Sequence, residues 1–448
     1  MTKKSSFSDF SISKEILQAV ADLGYEEASA IQSQAIPVLL EGHDVIGQAS
    51  TGSGKTAAFG IPLIEKIDIK SRTVQAVILC PTRELAVQVS EEARKLLAYR
   101  RDIRTLAIYG GDSITRQIQE LRRGIHLVVG TPGRILDHMK RKTLSIDNLK
   151  MIILDEADEM LNMGFRDDIE LVLQSTPATR QTILFSATMS SEILRLTKQY
   201  QKNQKMVRVT TNETQNSQPL VEQAYIEIDS RMKLEGLTRL LELHNPKLSI
   251  VFCNTKRRVD EVVQGLHLRG YSVDGIHGDI NQTKRNKVMN SFRSGQLTIL
   301  VATDVAARGI DVSDVEAVFN YELPFDEESY VHRIGRTGRA GREGKAFTFV
   351  SSRREVYQLR NIKRYTKTEI FQIDLPSRNS LEEARTNKFL TGLRVMLEAK
   401  NFDRYKNIVS TLEKENFATQ DIAAALLKLT MTRPAQVTQQ PQCQSDSY

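Results

Sequence analysis

Short apolar runs alternate with helical segments along most of the chain, and this alternation constrains the fold more than any other feature. In the first half the runs are 76–79, 104–108, 127–129, 151–154 and 182–185. Such alternation predicts a parallel β-sheet with helices on both faces. Small or polar residues follow each run at once, so we expect them to line the sheet edge where α/β proteins bind ligands.

The alternation begins again after a polar stretch, residues 210–219, which ends in proline and predicts a linker. In the second half the strand candidates are 220–228, 249–253, 273–276, 298–302, 317–321 and 344–350. A chain of 448 residues is too long for one typical hydrophobic core. The sequence therefore predicts two tandem α/β lobes, residues 1–209 and 220–376.

A glycine-rich segment lies between the run 44–48 and a helical pattern, and it consists of Ala49, Ser50, Thr51, Gly52, Ser53, Gly54, Lys55 and Thr56. Unpaired N–H groups and the helix dipole favour an anion at such a position. The segment predicts a phosphate-binding loop, with Lys55 reaching the β- and γ-phosphates and Thr56 ligating Mg²⁺. Ala49 departs from the usual first glycine, so a glycine-rich turn that binds nothing is the alternative.

Asp155 and Glu156 directly follow the apolar run 151–154, at the expected carboxyl end of a buried strand. Asp155 is predicted to hold Mg²⁺, directly or through water. Glu156 is predicted to be the base that orients and deprotonates an attacking water. An acidic turn that is only solvated is the alternative.

Other strand ends carry groups suited to a sugar-phosphate backbone. They offer hydroxyls, amides at helix starts, arginines and a glycine pair, and the candidates for nucleic-acid contact are Pro81, Thr82, Arg83, Gly111, Thr131 and Arg134. Ordinary helix-capping turns are the alternative for each. The repetition of such groups along one edge favours a binding function.

The second lobe contains an arginine cluster but no phosphate loop. Arg336 and Arg339 are three residues apart, so we expect them to project from one face of a helical turn and to grip a γ-phosphate held by the first lobe. Arginine fingers of this kind contribute roughly 10³ to 10⁵ in rate. A solvated face or a nucleic-acid patch is the alternative.

Taken in order, these blocks resemble the DEAD-box ATP-dependent RNA helicases of superfamily 2, of the bacterial cold-shock or RNA-decay type. The resemblance spans about residues 7–350 and rests on segments 24–32, 49–56, 81–86, 131–134, 155–158, 186–188, 302–311 and 332–341. It implies an α/β fold of two tandem RecA-like lobes with parallel sheets, followed by a small α-helical C-terminal extension. It also implies RNA-stimulated ATP hydrolysis that unwinds short RNA duplexes or remodels RNA–protein complexes.

The resemblance also assigns roles to individual residues. Gln32 would read adenine and Phe7 would stack on the base, although Ala28 stands where the family usually has proline. The residues matched to the remaining roles are Asp311 for the ribose, Thr303 and Arg308 for RNA, and Asp158, Ser186, Thr188 and His332 for coupling between the lobes. Recognition of RNA in preference to DNA, through 2′-hydroxyl contacts, is likewise implied by the resemblance.

The composition limits the kinds of partner that this chain is expected to bind. The net charge of +7 suits a polyanion, here single-stranded RNA or a short duplex with little sequence preference. No apolar stretch approaches the roughly 18 residues of a membrane span, so we expect a cytoplasmic protein without a membrane partner. The three cysteines, Cys80, Cys253 and Cys443, form no CxxC pair, and Cys80 and Cys253 are predicted to be buried strand residues.

Residues 377–433 have apolar positions at helical spacing, which predict three short helices. Such helices should pack on the second lobe or on a second copy of this chain, and we favour a homodimer. Residues 434–448 are glutamine-rich and predict a disordered tail. Proteins of RNA decay or ribosome assembly are further partners compatible with the family.

Two rival functions stay open at this point. One is a DNA-translocating helicase of the wider superfamily, which Gln32 and the acidic segment 155–158 argue against. The other is an RNA clamp that binds ATP without turnover. The residues that argue against it are Lys55, Glu156, Arg336 and Arg339.

Overall fold

The computed structural model describes residues 5–49, 53–209, 221–307, 315–338, 342–399 and 402–432. The chain divides into two compact units, with the boundary between Pro219 and Leu220. Within the described residues, no helix combines the length and the apolar character that crossing a membrane requires.

The first unit is a parallel sheet of seven strands with helices on both faces. Strands β1–β7 are Val45–Gln48, Ala76–Leu79, Thr105–Ile108, Leu127–Gly130, Met151–Leu154, Gln181–Ser186 and Lys205–Arg208. Helices α1–α9 are Lys14–Asp22, Ala30–Leu40, Lys55–Glu65, Arg83–Leu96, Ile114–Arg122, Pro132–Lys140, Ala157–Asn162, Arg166–Gln174 and Ser191–Tyr200. The strand order is β3-β4-β2-β5-β6-β1-β7.

Neighbouring residues of a strand pack into the hydrophobic cores on opposite faces of the sheet. Ile78 and Ile153 belong to the cluster on one face of the sheet, whereas Val77 and Ile152 belong to the cluster on the other. A strand that is buried on both faces has to be apolar at every position, because successive side chains point to opposite sides. This is why the central strands were predicted as continuous apolar runs.

The second unit repeats the same topology. Strands β8–β14 are Val221–Glu227, Ser249–Phe252, Val273–Ile276, Ile299–Ala302, Ala317–Asn320, Gly344–Val350 and Phe371–Gln372. Helices α10–α18 are Lys233–His244, Lys256–His267, Gln282–Arg293, Asp304–Ala307, Glu327–Ile334, Arg353–Thr366, Arg378–Ala399, Asp403–Lys414 and Thr419–Thr432. The strand order is β10-β11-β9-β12-β13-β8-β14, again all parallel. The predicted fold class, two parallel α/β lobes with a helical C-terminal part, is therefore confirmed.

The C-terminal part differs from the expectation of three short helices in one respect. Helix α16 has 22 residues and packs against α10 of the second unit. The following helices leave large apolar side chains exposed, among them Tyr405, Ile408, Leu426 and Leu429. The predicted linker and tail lie largely outside the described residues.

Gly47 in β1 provides a test of the packing. A Cβ atom at this position would lie 2.3 Å from Cε1 of Phe185, a fully buried ring that also packs on Phe59. Overpacking of this kind costs about 1–3 kcal/mol. We expect Gly47→Ala to lower the thermal unfolding midpoint of the first unit by several degrees. Gly392→Ala, where a Cβ meets no atom within 4 Å, is the control, and an equal midpoint for both variants would contradict the packing argument.

Candidate functional site

The glycine-rich segment lies between β1 and α3, as predicted, and Lys55 is the first residue of that helix. Gly54, the N-cap, has φ of +91°, a left-handed conformation that glycine adopts without strain. Lys55 is buried, and its Nζ has no hydrogen-bond partner among the described residues. A buried cation without a partner at a helix start fits an anionic ligand such as phosphate. Ser50, Thr51 and Gly52 lie outside the described residues, so their predicted contacts are not tested.

Gln32 connects helix α2 to this segment. Its Oε1 accepts a hydrogen bond from the N–H of Ser29 at 2.8 Å, and its Nε2 donates to the carbonyl of Gly54 at 3.1 Å. Ser29 Oγ donates to the carbonyl of Ser53 at 2.8 Å. The amide of Gln32 keeps one N–H and one oxygen lone pair for a further partner. The predicted contact with adenine would use these groups.

Phe7 is buried, with 3% of its surface exposed, and its ring stacks on Tyr25 at 6.2 Å between centroids. The Phe10 ring meets the Phe7 ring edge-on, with 6.0 Å between the ring centroids. Stacking of Phe7 on the base stays a prediction, and it would require the ring to expose more area than it does here.

Asp155 follows β5 and is buried, with 3% exposure. Burial raises the pKa of Asp155 to about 7; nearby Lys55 opposes this shift and Glu156 adds to it. Its Oδ1 accepts one hydrogen bond, from the N–H of Glu156 at 3.1 Å. A buried carboxylate with so few donors suits a divalent cation, because oxygen ligands are those that Mg²⁺ prefers. Together with the half-buried Thr56, the residues present fit this ion.

Glu156 has φ of +51°, a left-handed conformation that is uncommon for a residue with a side chain. Such a conformation costs of order 1–3 kcal/mol and persists where the surrounding structure enforces it. Here the turn from β5 into α7 enforces it. The strain fixes the direction in which the carboxylate leaves the chain, which suits a group that has to orient a water molecule.

Asp158 joins the acidic segment to the end of β6. Its Oδ2 accepts hydrogen bonds from the N–H groups of Ala187 and Thr188 at 3.0 and 2.8 Å and from the Thr188 hydroxyl at 3.1 Å. Ser186 Oγ donates to the carbonyl of Thr188 at 2.6 Å. These contacts lie within the first unit. They make the two segments one connected structure, and any role in coupling to the second unit stays a prediction.

The first-unit residues predicted to contact RNA lie in the segments that follow β2, β3 and β4, which are neighbours in the sheet. Thr82 caps α4 by accepting from the N–H of Leu85 at 3.2 Å, and Arg83 follows it. The Arg83 guanidinium lies against Gly111, where a Cβ would be 2.3 Å from its Nη1, and Gly111 has φ of +89°. Thr131 caps α6 without a side-chain bond to the helix. The structure therefore brings these predicted residues together.

Gln117, which the sequence analysis missed, connects two of these segments. It is 1% exposed, and its Nε2 donates to the Tyr109 carbonyl at 3.1 Å and to Oδ2 of Asp112 at 3.4 Å. Its Oε1 accepts from Nη1 of Arg134 at 3.3 Å and lies 3.0 Å from Nε2 of His138. Because burial lowers the pKa of His138, a neutral ring with its proton on Nε2 satisfies this network.

In the second unit, Arg333 is the most connected side chain. It is 1% exposed and donates to both carboxylate oxygens of Asp304, at 2.5 and 2.7 Å, and to Oδ1 of Asn254 at 2.8 Å. It also donates to the Glu322 carbonyl at 2.6 Å and lies over the ring of Phe252. Arg333 holds β9, α13 and α14 together at the sheet edge. It was not predicted because an arginine in a basic segment gives no sign of burial.

One expectation about the arginine cluster is wrong. Helix α14 ends at Ile334, with Gly335 at its C-cap, so Arg336 lies in a turn and not on a helix. Gly338 has φ of +67°, which keeps the chain out of helical geometry. Arg336 is largely buried, and His332 and Thr303 are half-buried. Arg308, Asp311 and Arg339 lie outside the described residues, so the roles predicted for them are not tested.

Both cysteines predicted to be buried strand residues, Cys80 and Cys253, are buried. Burial raises the pKa of each thiol, with nearby carboxylates adding to the shift. Neither cysteine is therefore a reactive thiolate.

The Gln117 network yields a prediction. Gln117→Leu removes both the oxygen and the NH2 group of the amide. Arg134 and the Tyr109 carbonyl then lose the side chain that joins them. A lost buried partner costs about 1–3 kcal/mol, so we expect the Kd for RNA to rise roughly tenfold while the KM for ATP is unchanged. Equilibrium RNA titration and steady-state ATPase assays measure the two quantities. Equal losses for RNA and ATP would indicate a structural role only.

Comparison with known proteins agrees with this geometry. The family model described as DEAD/DEAH box helicase matches residues 29–196. The model described as helicase conserved C-terminal domain matches residues 232–341, and the RNA helicase DeaD dimerization domain matches residues 376–439.

Full-length relatives are similar over nearly the whole chain. DEAD-box ATP-dependent RNA helicase CshA of Geobacillus kaustophilus is 47% identical over 438 residues, which cover 97% of this chain and 93% of the relative. ATP-dependent RNA helicase CshA of Listeria monocytogenes is 48% identical over 434 residues, which cover 97% of this chain and 82% of the relative.

Solved structures are also similar. Dbp5 of S. cerevisiae bound to RNA and ADP BeF3 has a TM-score of 0.77 at 32% identity, covering 84% of this chain and 98% of that chain. The DEAD-box helicase Mss116 bound to ssRNA and UDP-BeF has a TM-score of 0.75 at 26% identity, covering 85% of this chain and 81% of that chain. Because the two CshA relatives match it along almost its whole length, this chain belongs to the DEAD-box ATP-dependent RNA helicases.

Proposed function

We propose that Lys55, Asp155 and Glu156 carry out RNA-stimulated ATP hydrolysis, and that the chain uses this reaction to unwind short RNA duplexes or to remodel RNA–protein complexes. The observation that supports the proposal most directly is the buried Lys55 ammonium. It has no hydrogen-bond partner among the described residues, and it lies close enough to Asp155 to influence the pKa of that carboxyl group. An isolated buried cation is unfavourable unless an anion joins it. A nucleotide phosphate is an anion of that kind.

Each residue then has a chemical task. Lys55 binds the β- and γ-phosphates, and the N–H groups at the start of α3 point toward the same position. Glu156 orients the attacking water and accepts its proton on a carboxylate oxygen. Thr56 and Asp155 would hold Mg²⁺, which neutralises charge on the phosphates when bound.

Charge that develops on the γ-phosphate needs a further cation. Arg336 and Arg339 of the second unit are proposed for this task, on the basis of guanidinium chemistry and their place in the family motif. Gln32 and Phe7 are proposed to select adenine, and Asp311 to contact the ribose. Hydrolysis would thus require residues from both units.

RNA is proposed to bind along the strand ends, through Pro81, Thr82, Arg83, Gly111, Thr131 and Arg134 of the first unit and Thr303 and Arg308 of the second. These residues offer helix-start amides, hydroxyls and guanidinium groups, which recognise phosphate and sugar but not sequence. Affinity should therefore fall steeply with salt. Asp158, Ser186, Thr188 and His332 are proposed to link RNA binding to hydrolysis.

Residues 377–433 are proposed to form a homodimer. The match to a dimerization domain and the exposed apolar side chains of α17 and α18 support this proposal. Proteins of RNA decay or ribosome assembly stay the predicted class of further partner, and the cytoplasm stays the predicted location.

Glu156 allows a direct test of the proposed chemistry. We expect single-stranded RNA to stimulate ATP hydrolysis and Glu156→Gln to reduce kcat by about 10²- to 10⁴-fold, the usual contribution of a general base. The variant should still bind ATP. Glu192→Gln, which neutralises an exposed carboxylate on α9, is the matched control. ATP binding without turnover in the unaltered protein would instead indicate an RNA clamp.

The homodimer has its own test. A chain ending at Pro376 lacks α16–α18, so we expect it to sediment as a monomer while the full chain sediments as a dimer. RNA-stimulated ATPase activity of the shortened chain shows whether its two units are still folded. An unchanged oligomeric state after the truncation would rule out dimerisation through these helices.

A further inference from the structure

Helix α15, residues Arg353–Thr366, has a basic exposed face that the proposed site does not use. Arg353, Tyr357, Arg360 and Arg364 follow one another at intervals of four, three and four, which places them along one side of the helix, and Lys367 follows as its C-cap. All five are exposed, and Tyr357 has 63% of its surface exposed. The opposite side of the helix packs into the second unit through Leu359 and Ile362.

Positive charge is concentrated on this helix. Residues 353–367 contain six lysines and arginines and one glutamate, a net charge of +5, whereas the whole chain has +7. The one acid, Glu355, is engaged by the N–H and hydroxyl of Ser351, at 2.6 and 3.0 Å. It therefore does little to neutralise the exposed face.

Several other helices of this protein pair an arginine with an acid one turn away. The pairs are Arg123 with Glu120, Arg141 with Asp137, Arg166 with Glu170, Arg239 with Glu235, and Arg257 with Glu261. In the described part of the chain, no carboxylate pairs with any of the four basic residues of the α15 face. A single exposed arginine such as Arg195 of α9 also has no ion pair with a described residue, so α15 differs in having four such basic residues together.

Only the last turn of α15 places basic residues where the helix dipole favours them, at Lys363 and Arg364. Arg353 and Arg354 lie in the first turn, where the helix dipole disfavours positive charge. Arg360 and Arg364 are four residues apart, a spacing at which like charges repel. Repulsion between like charges on this face would fall if an anionic partner lay against it.

We propose that this face of α15 is a second RNA-binding surface, in which the arginines contact backbone phosphates and Tyr357 stacks on an unpaired base. Alternating basic and aromatic side chains are the means by which proteins hold single strands without sequence preference. A membrane surface is a poorer match, because the apolar side of this helix is already buried in the unit's core. The inference rests on the RNA-dependent activity proposed above.

The surface would act on RNA that extends beyond the segment held at the strand ends. A second contact on the same strand raises the effective concentration of RNA at the first. Longer RNA should therefore bind more tightly than short RNA, and the gain should depend on α15. The shortest strand that fully stimulates ATP hydrolysis should bind equally well whether or not the α15 face is altered.

The test compares two double variants of the full chain. Arg360→Gln with Arg364→Gln alters the α15 face, and Arg195→Gln with Lys198→Gln removes the same charge from exposed positions of α9. RNA affinity is measured against salt concentration for the shortest fully stimulating strand and for the same strand extended at both ends. Each phosphate contact to a single strand contributes about 0.7 to the slope of log K against log salt.

For the extended strand, we expect the α15 variant to lose affinity and its salt slope to become shallower by about 1.4, relative to the control variant. For the short strand, both variants should match the unaltered protein. Equal behaviour of the two variants on the extended strand would overturn the proposal, since the face would then be only solvated or serve an acidic protein. Loss on the short strand would also overturn it, because α15 would then belong to the main site.

Tyr357 provides an independent check. Tyr357→Ala should weaken binding of the extended strand by at least about fivefold, whereas Tyr357→Phe keeps the ring and should bind normally. Equal binding by the two variants would exclude stacking. ATPase stimulation of the unaltered protein by the short strand tests the proposed function separately, so failure of one proposal is distinguishable from failure of the other.

Discussion

The burial of Lys55 beside Asp155 is the constraint on which the rest of the first unit depends. A cation and a carboxyl group are both removed from water at the carboxyl edge of the sheet, and burial raises the pKa of Asp155 to about 7. Such an arrangement is unfavourable alone and becomes favourable when phosphate and a divalent cation join it. The nucleotide and Mg²⁺ proposed above would supply both of these groups.

The loops around this site are held by side-chain hydrogen bonds more than by regular structure. Gln32 holds the end of the phosphate loop, Asp158 holds the turn after β6, and Gln117 joins the Tyr109 loop to Arg134. Each is buried and uses more than one polar atom. Loops at a ligand-binding edge lack a hydrogen-bonded ladder, so buried polar side chains are the means available to fix them.

The sequence predicted the central strands because burial on both faces requires uninterrupted apolar residues, as in Met151–Leu154. It missed one edge strand of each sheet, since β7 buries only Val207 and β14 has two residues. The helical placement of Arg336 was wrong because Gly335 ends α14. Gln117 and Arg333 were missed for another reason: a polar residue on a helix gives the same local pattern whether it faces solvent or a buried network. Tertiary contacts alone distinguish the two.

The two units share one strand order, but their buried cations differ in whether they have hydrogen-bond partners within the fold. In the second unit, Arg333 has partners from Asp304, Asn254 and the Glu322 carbonyl, so its donors are satisfied within the fold. In the first unit, Lys55 is buried without a partner among the described residues. A satisfied cation stabilises the edge that contains it, whereas an unsatisfied one favours whatever anion enters. The two units share one topology, but the buried cation is satisfied within the fold in only one of them. This difference favours the first unit as the proposed site for the nucleotide phosphates.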